Sequence, residues 1–480
     1  MKEENSKVYI STAIDYANAE AHLGHALEKV QADVLARYYR SRDREVFFLT
    51  GTDENSLGTI RAAKEKKIPV KTFVKEKSDH FRQLKESLDL SFDDFIRTTE
   101  KRHQEAVQKF WRKIKSDIYQ KKYSGLLCEN CEAYYKKEEA PDGLCPIHGK
   151  KLEEVEEQNY FFKLSRYQKQ LKKIIESDEL KIIPEARKNE VLGFIDQGLE
   201  DICISRSSER MQGWGIKVPG DDSQTIWCWL DALVNYISAL DYAKDGQKFK
   251  NWWVNNPRKI HFIGKDIIKF HAVYWPAFLL SAGLPIPRMI FTHGWLTVDG
   301  QKMSKSRGTG VDPFKLSQEY GSDAVRYFLL REIPSTKDGD FSLAKFKERY
   351  NADLASGLGN LFSRVNKLAR EMKVKPELTG LETRQAIKEV QQEYVQAMAQ
   401  YDFREALMSI WNLIAFCDQY IEQEEPWQGE EGAEEVVADL LFVLGRIAGL
   451  LEPFLPQASQ RMLSQLAGQK ESSSLFPRLK

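Results

Sequence analysis

The chain has 480 residues, room for about three domains, and its 30% charged and 42% hydrophobic residues are an ordinary globular balance. Lys plus Arg and Asp plus Glu stand at 71 each, so net charge steers nothing toward nucleic acid, and an RNA partner would need local basic patches. The opening MKEENSKVYI has no apolar core, so no secretory or transit leader is expected, and the longest apolar runs break well short of the about 18 residues that span a membrane. A cytoplasmic protein without a membrane partner is expected.

In chain order, residues 7–14 read as a strand. They lead to YANAEAHLGH (Tyr16 to His25) and a helix over 21–42 with apolar Leu23, Leu27, Val30, Val34 and Leu35. His22 and His25 stand at i, i+3, one helical turn apart. Gly24 between them leaves the backbone open to a flat ligand, and a helix N-terminus supplies unpaired N–H groups suited to phosphate. A second strand over 45–49 ends at TGTDE (Thr50 to Glu54), so strand, helix and strand form a βαβ unit of a parallel sheet. Ligands of such sheets bind beyond the strands' carboxyl ends, where Asp53 is placed to take an amino group. Helical patterns follow over 74–88 and 101–119.

Cys128-x2-Cys131, then thirteen residues, then Cys145-x2-His148 places four ligands within a short stretch, with Pro146 and Gly149 shaping the second turn. That donor set suits a tetrahedral structural zinc, one per chain, with no position left open for catalysis. Cys203, Cys228 and Cys417 lie in apolar contexts, so a disulfide framework is not expected. The surrounding segment, about 121–224, reads as an insertion in the α/β domain. A strand over 225–230 runs on into WCWLDALVNY as a helix, and 261–263 leads into GKDIIKFHAVYWPAFLLSAG. A further strand over 288–292 precedes the loop QKMSKSRGTG (301–310), whose Lys302 and Lys305 suit an anionic ligand. From about Phe341 the chain reads as an α-helical bundle, with helices over 354–368, 386–398, 403–421 and 436–451. Trp427 stands in an acidic interhelical loop.

HLGH and KMSKS together resemble the two signatures of class I aminoacyl-tRNA synthetases. With TGTDE, the cysteine knuckle, NYFF, ISR, WLDA, GKDIIKFH and EEPW, the chain is most similar to the methionyl-tRNA synthetase family over essentially its whole length. The resemblance implies a Rossmann-type catalytic domain (1–120 and 225–340) carrying a zinc-bearing insertion (121–224), then an anticodon-binding helical domain (341–480). It implies activation of L-methionine by ATP, accompanied by Mg, to an adenylate and pyrophosphate. Methionyl transfer to initiator and elongator tRNA(Met) follows, by a short monomeric form without an appended tRNA-binding domain. By the same resemblance, His22 and His25 meet the ATP phosphates, helped by Lys302, Lys305 and Arg206. Gly24 underlies the adenine, and Asp266 meets the ribose. Methionine lies among Ile14, Tyr16, Trp229, Ala232, Leu233, Tyr236, Ile267 and His271, with Asp53 on its amino group. Asn360, Arg364 and Trp427 read the anticodon.

Some positions depart from the family pattern. Asn55 stands where histidine is usual, Asp15 replaces a proline, and Cys228 replaces a β-branched residue as strand packing. Arg307 and Thr309 follow KMSKS in place of the commoner Leu and Asn. Asp15 and Glu20, acids beside a polyanion site, are expected to face solvent. The rival synthetases for isoleucine, leucine and valine carry an editing domain of about 200 residues, roughly twice what the insertion holds. The cysteine enzyme needs an open zinc position, which the knuckle lacks. A silent RNA-binding paralogue has no need for the intact histidines and lysines, and a nucleotidyltransferase has none for the helical bundle with Trp427.

Overall fold

The computed structural model describes residues 7–128, 133–135, 137–146, 149–302, 310–468 and 474–479. They divide into two compact units, one of Met1–Ala21, Asp43–Gln83 and Phe92–Thr292, the other of His22–Arg42, Leu84–Ser91 and His293–Lys480.

The first unit is built on a seven-stranded parallel sheet. Its order is Asp15–Tyr16, Glu45–Asp53, Lys7–Thr12, Lys259–Gly264, Met289–His293 and Lys181–Ile183, with Asp94–Arg97 also on Glu45–Asp53. Strands so placed are covered on both faces, which is why they read as near-continuous apolar runs. Val8, Tyr9 and Ile10 are all 0% exposed. Gly51 is required by strand pairing, since a Cβ there would stand 2.1 Å from the Ile96 carbonyl oxygen. The second strand of the chain's βαβ unit is longer than the spacing predicts because Thr50–Asp53 pairs onward with Asp94–Arg97 and Asp15–Tyr16.

Two placements differ from the sequence reading. Lys181–Ile183, inside the range read as the insertion, pairs with Met289–Phe291 and so belongs to the central sheet. The strand expected at 225–230 is Asp221–Ile226, antiparallel in a separate three-stranded sheet, and the chain turns helical at Cys228. Cys228 therefore packs from a helix, 2% exposed, and not from a strand. In the chain between Asp94–Arg97 and Lys259–Gly264, Ala133–Tyr135, Ile118–Cys128, Glu153–Phe162 and Ile202–Cys203 form a separate four-stranded antiparallel sheet.

The second unit is helical. Asn360–Met372, Leu381–Ala399, Phe403–Glu424, Ala433–Leu451 and Pro456–Leu466 pack mainly as sequential neighbours. Leu23–Arg40 belongs to this unit and is buried on most faces, several of its polar side chains matched. Gln31 donates to the Ser335 carbonyl at 3.1 Å, Glu28 meets His293 Nε2 at 3.1 Å, and Asp33 accepts from Arg326 at 2.7 Å. A small sheet of Gln301–Lys302, Leu296–Val298 and Gly339–Phe341 completes it. Among the described residues, no helix is long and apolar enough to cross a membrane.

Candidate active site

In the first unit, the carboxyl ends of three parallel strands deliver Tyr16, Asp53 and the Lys265–Ile267 turn. Tyr16 is register partner to Asp53. Its ring meets Trp229 edge-on at 6.4 Å, and Trp229 meets His271 edge-on at 6.1 Å. Ala232 and Leu233 share the helix Cys228–Leu233 with Trp229, and Ile14 and Ile267 pack against the same core. The predicted methionine residues thus lie together. Phe270, not anticipated, backs the indole face to face at 3.6 Å. An aromatic cluster of this kind favours contact with a polarisable thioether over a hydrocarbon of equal length.

Hydrogen bonds fix the tautomer of His271. Its Nδ1–H donates to the Ile267 carbonyl at 3.0 Å, so Nε2 accepts the Tyr236 hydroxyl at 2.7 Å. Tyr236 is held in turn by Tyr9, whose hydroxyl donates to its carbonyl at 2.7 Å. Burial pushes His271 down to about 4, outweighing the opposing pull of the Ile267 carbonyl and the Asp266 charge. A histidine lowered from about 6.5 contributes stability that is whole above that value and fades as pH falls toward the folded-state one. His271 therefore stays uncharged at neutral pH. The KM for methionine will show no step near pH 6.5 that His271→Gln abolishes; such a step would contradict the neutral assignment.

In the second unit, His22 is the N-cap of Leu23–Arg40. Its Nδ1 accepts the Gly24 N–H at 3.1 Å, while His25 Nδ1 accepts the His22 N–H at 3.1 Å. This reciprocal box satisfies two orphan donors of the first turn and stacks the rings with centroids 3.7 Å apart. With both Nδ1 atoms accepting, each neutral ring carries its hydrogen on Nε2, giving two parallel donors at the positive end of a helix. The segment that follows the second signature reaches the same helix start. The Leu23 N–H donates to the Val311 carbonyl at 3.3 Å, so the chain leaving the QKMSKSRGTG loop lies on this helix start. Lys302 ends a strand paired with Leu296–Val298. Lys305, Arg307 and Thr309 lie outside the described residues.

Two expectations are corrected. Arg206 is 2% exposed, its Nη1 donating to the Ser205 carbonyl at 2.8 Å and touching Cys203 Sγ at 3.3 Å. With Nη1 held on its own strand, the buried side chain offers little surface to a phosphate. Asp15 is 9% exposed in the sheet and does not face solvent, whereas Glu20 is exposed as expected and binds Lys77 and, at 2.9 Å, His80. Asp266, by contrast, is exposed just beyond Gly264, where a ribose would be met.

A family model for tRNA synthetases class I (M) matches residues 8–152 and 128–366, and one for the anticodon-binding domain of tRNA ligase matches 382–479. A methionine–tRNA ligase of Rickettsia conorii is 41% identical over 97% of this chain and 94% of its own. One from Caldanaerobacter subterraneus subsp. tengcongensis is 40% identical over 95% of this chain and 73% of its own. The chain belongs to the methionyl-tRNA synthetase family of class I. A Mycobacterium tuberculosis methionyl-tRNA synthetase, solved in complex with methionyl-adenylate, superposes on this synthetase with a TM-score of 0.91. It is 35% identical and matches 98% of this chain and all of that one.

The synthetase's helical unit brings the three expected anticodon residues together. Asn360 and Arg364 lie one turn apart on Asn360–Met372, and the Arg364 guanidinium sits 4.3 Å over the Trp427 ring, with Trp427 39% exposed. Of the zinc ligands, Cys128 and Cys145 share one small buried cluster with Leu126, Ala140 and Leu152. Around Cys145 the backbone makes a tight turn, with Cys145 N–H to the Lys150 carbonyl at 2.7 Å and Gly149 N–H to the Cys145 carbonyl at 2.8 Å. Cys131 and His148 lie outside the described residues, among which no group of three metal-ligating side chains forms.

Sequence reasoning misses Glu54. It is 0% exposed and accepts Arg97 Nε at 2.6 Å, while Trp214 donates to its carbonyl at 2.8 Å. Its place at the end of TGTDE is the only available signal.

Proposed function

We propose that the chain activates L-methionine and charges tRNA(Met) with it for both initiation and elongation. One carboxylate oxygen of methionine attacks the α-phosphorus of ATP, and the bond to pyrophosphate breaks. The 3′-terminal ribose hydroxyl of tRNA then attacks the adenylate carbonyl, and AMP leaves. Catalysis of such steps is positioning and charge stabilisation. Asp53 holds the ammonium, while Tyr16, Trp229, Tyr236 and His271 wall the thioether, with Ile14, Ala232, Leu233 and Ile267 around it. Asp266 meets the ribose, and Gly24 lets adenine approach the backbone. The Nε2–H groups of His22 and His25 donate to the phosphates, and Lys302 and Lys305 neutralise charge as it develops. Mg accompanies the ATP. Arg206 takes no part. The observation that carries this reading is the helix start of the paired histidines, on which Val311, just after the second signature, is held by the Leu23 N–H.

We assign the catalytic halves to 1–120 and 225–340, the insertion to 121–224 and anticodon binding to 341–480, in a cytoplasmic monomer. In the insertion, Cys128, Cys131, Cys145 and His148 would hold a structural zinc that stabilises the fold without entering the chemistry. The two buried thiols beside a tight turn support this set. Elemental analysis of the purified protein is expected to find about one zinc per chain; none would remove the assignment.

Anticodon recognition has a separable signature. Trp427 offers a stacking face for an unpaired base, and Asn360 with Arg364 offers donors to its edge. Trp427→Ala will reduce kcat/KM for tRNA by about 5- to 150-fold, the usual worth of one base–aromatic stack, without changing methionine-dependent ATP–pyrophosphate exchange. Equal loss in both assays would overturn the anticodon role.

A further inference from the structure

Asn55 joins Asp53 to a buried polar chain that the reaction as described leaves unused. Its backbone N–H donates to Asp53 Oδ1 at 3.1 Å, and its side-chain amide donates to Asp231 Oδ2 at 2.7 Å. The other oxygen of Asp231 meets His103 Nε2 at 2.6 Å, and His103 Nδ1 meets Ser238 Oγ at 2.8 Å. Asp231 and His103 are 0% exposed, and Ser238 is 1% exposed. Serine, histidine and aspartate in a row have the composition of a nucleophilic triad, but no substrate reaches a hydroxyl so deeply buried, so the chain holds rather than reacts. What it holds is the site. Asp231 shares its helix with Trp229, Ala232 and Leu233, and Ser238 shares a turn with Tyr236.

We propose that Asn55 is a positioning residue for the methionine ammonium. Its main chain aims the Asp53 carboxylate, and its side chain ties that loop to Asp231, His103 and Ser238 and through them to the pocket walls. This rests on the reading that Asp53 binds the ammonium. A buried carboxylate that loses a donor does not stay as it was, so removing the amide loosens Asp53 along with Asp231. Asn55 also borders a cleft of about 450 Å³ lined by Arg97, Thr99 and Trp214, which gives a larger donor side chain room at this position.

The test is methionine-dependent ATP–pyrophosphate exchange with purified wild type, Asn55→Ala, Asn55→His and Ser238→Ala. 4-(Methylthio)butanoate, which lacks the ammonium, serves as competitive inhibitor. Asn55→Ala is expected to raise the KM for methionine about tenfold, with kcat and the KM for ATP within about twofold and the inhibitor's Ki unchanged. Asn55→His restores the KM through its ring N–H. Ser238→Ala, which strips no donor from the carboxylate, gives the same pattern at about two- to threefold and carries the test if Asn55→Ala does not fold. An unchanged KM for methionine, or a Ki that rises by the same factor as KM, overturns the proposal. No exchange by the wild type would instead overturn the reading of the site itself.

Discussion

Replacing His25 with asparagine will lower the rate of methionyl-adenylate formation about 10²- to 10³-fold, the loss of one preorganised donor worth roughly 3–4 kcal/mol. The shorter amide side chain would keep an oxygen near the place of Nδ1 and so keep the bond from the His22 N–H that caps the helix. It loses the Nε2–H and the ring stacked on His22. Glutamine makes the opposite trade, reaching the Nε2 position with an N–H while giving up the cap. Single-turnover exchange should therefore leave His25→Gln faster than His25→Asn, although asparagine better preserves the helix start. The reverse order would mean that the histidine pair serves the fold and not the phosphates.

Arg326→Met should cost about 3–5 kcal/mol of stability, the usual result of removing one partner from a fully buried ion pair. Arg326 and Asp33 are both 0% exposed, and Arg326 also donates to the carbonyls of Phe454 at 2.7 Å and Pro453 at 2.8 Å. Asp33 accepts further from Ser91 N–H at 2.6 Å and Arg37 Nε at 2.9 Å. Burial alone would push the Asp33 carboxyl up, but the Arg326 and Arg37 cations and the Ser91 hydrogen bonds together hold it below its ordinary value. An acid so depressed stabilises the fold above the usual carboxylate pKa of about 3.9 and loses that contribution as pH falls through its folded-state value. Urea unfolding at pH 7 should show most of the deficit of Arg326→Met, and the deficit should shrink in acid. A deficit under about 0.5 kcal/mol at pH 7 would show the pair to be structurally idle.

The parts legible in the sequence are those that physics makes local. Strand periodicity, the helix over the paired histidines and the bundle helices up to Leu451 declare themselves within windows of a few turns, their bounds differing mainly at frayed ends. The helix Pro456–Leu466 is not anticipated. The strand expected from Thr225 onward breaks off early because TIWCWL is apolar enough for either state. Its aromatic run continues into a helix that buries Trp229, Leu230 and Leu233. What no local pattern carries is partnership across long separations. Asn55 finds Asp231 176 residues away, His103 finds Asp231 128 away, and Arg326 finds Asp33 293 away. In a single sequence each looks like an ordinary surface polar residue. The pairing of Lys181–Ile183 with the central sheet is hidden for the same reason, since three residues have no periodicity to read. Arg206 shows the converse error. The resemblance assigns a phosphate role to a side chain that here is buried, with Nη1 on the Ser205 carbonyl.

The most direct measurement is ATP–pyrophosphate exchange by the purified, zinc-replete protein with each amino acid supplied in turn. The account predicts rapid exchange with L-methionine and none above background with leucine, isoleucine, valine or cysteine. Exchange that methionine does not stimulate, or that another of these amino acids drives equally well, would contradict it.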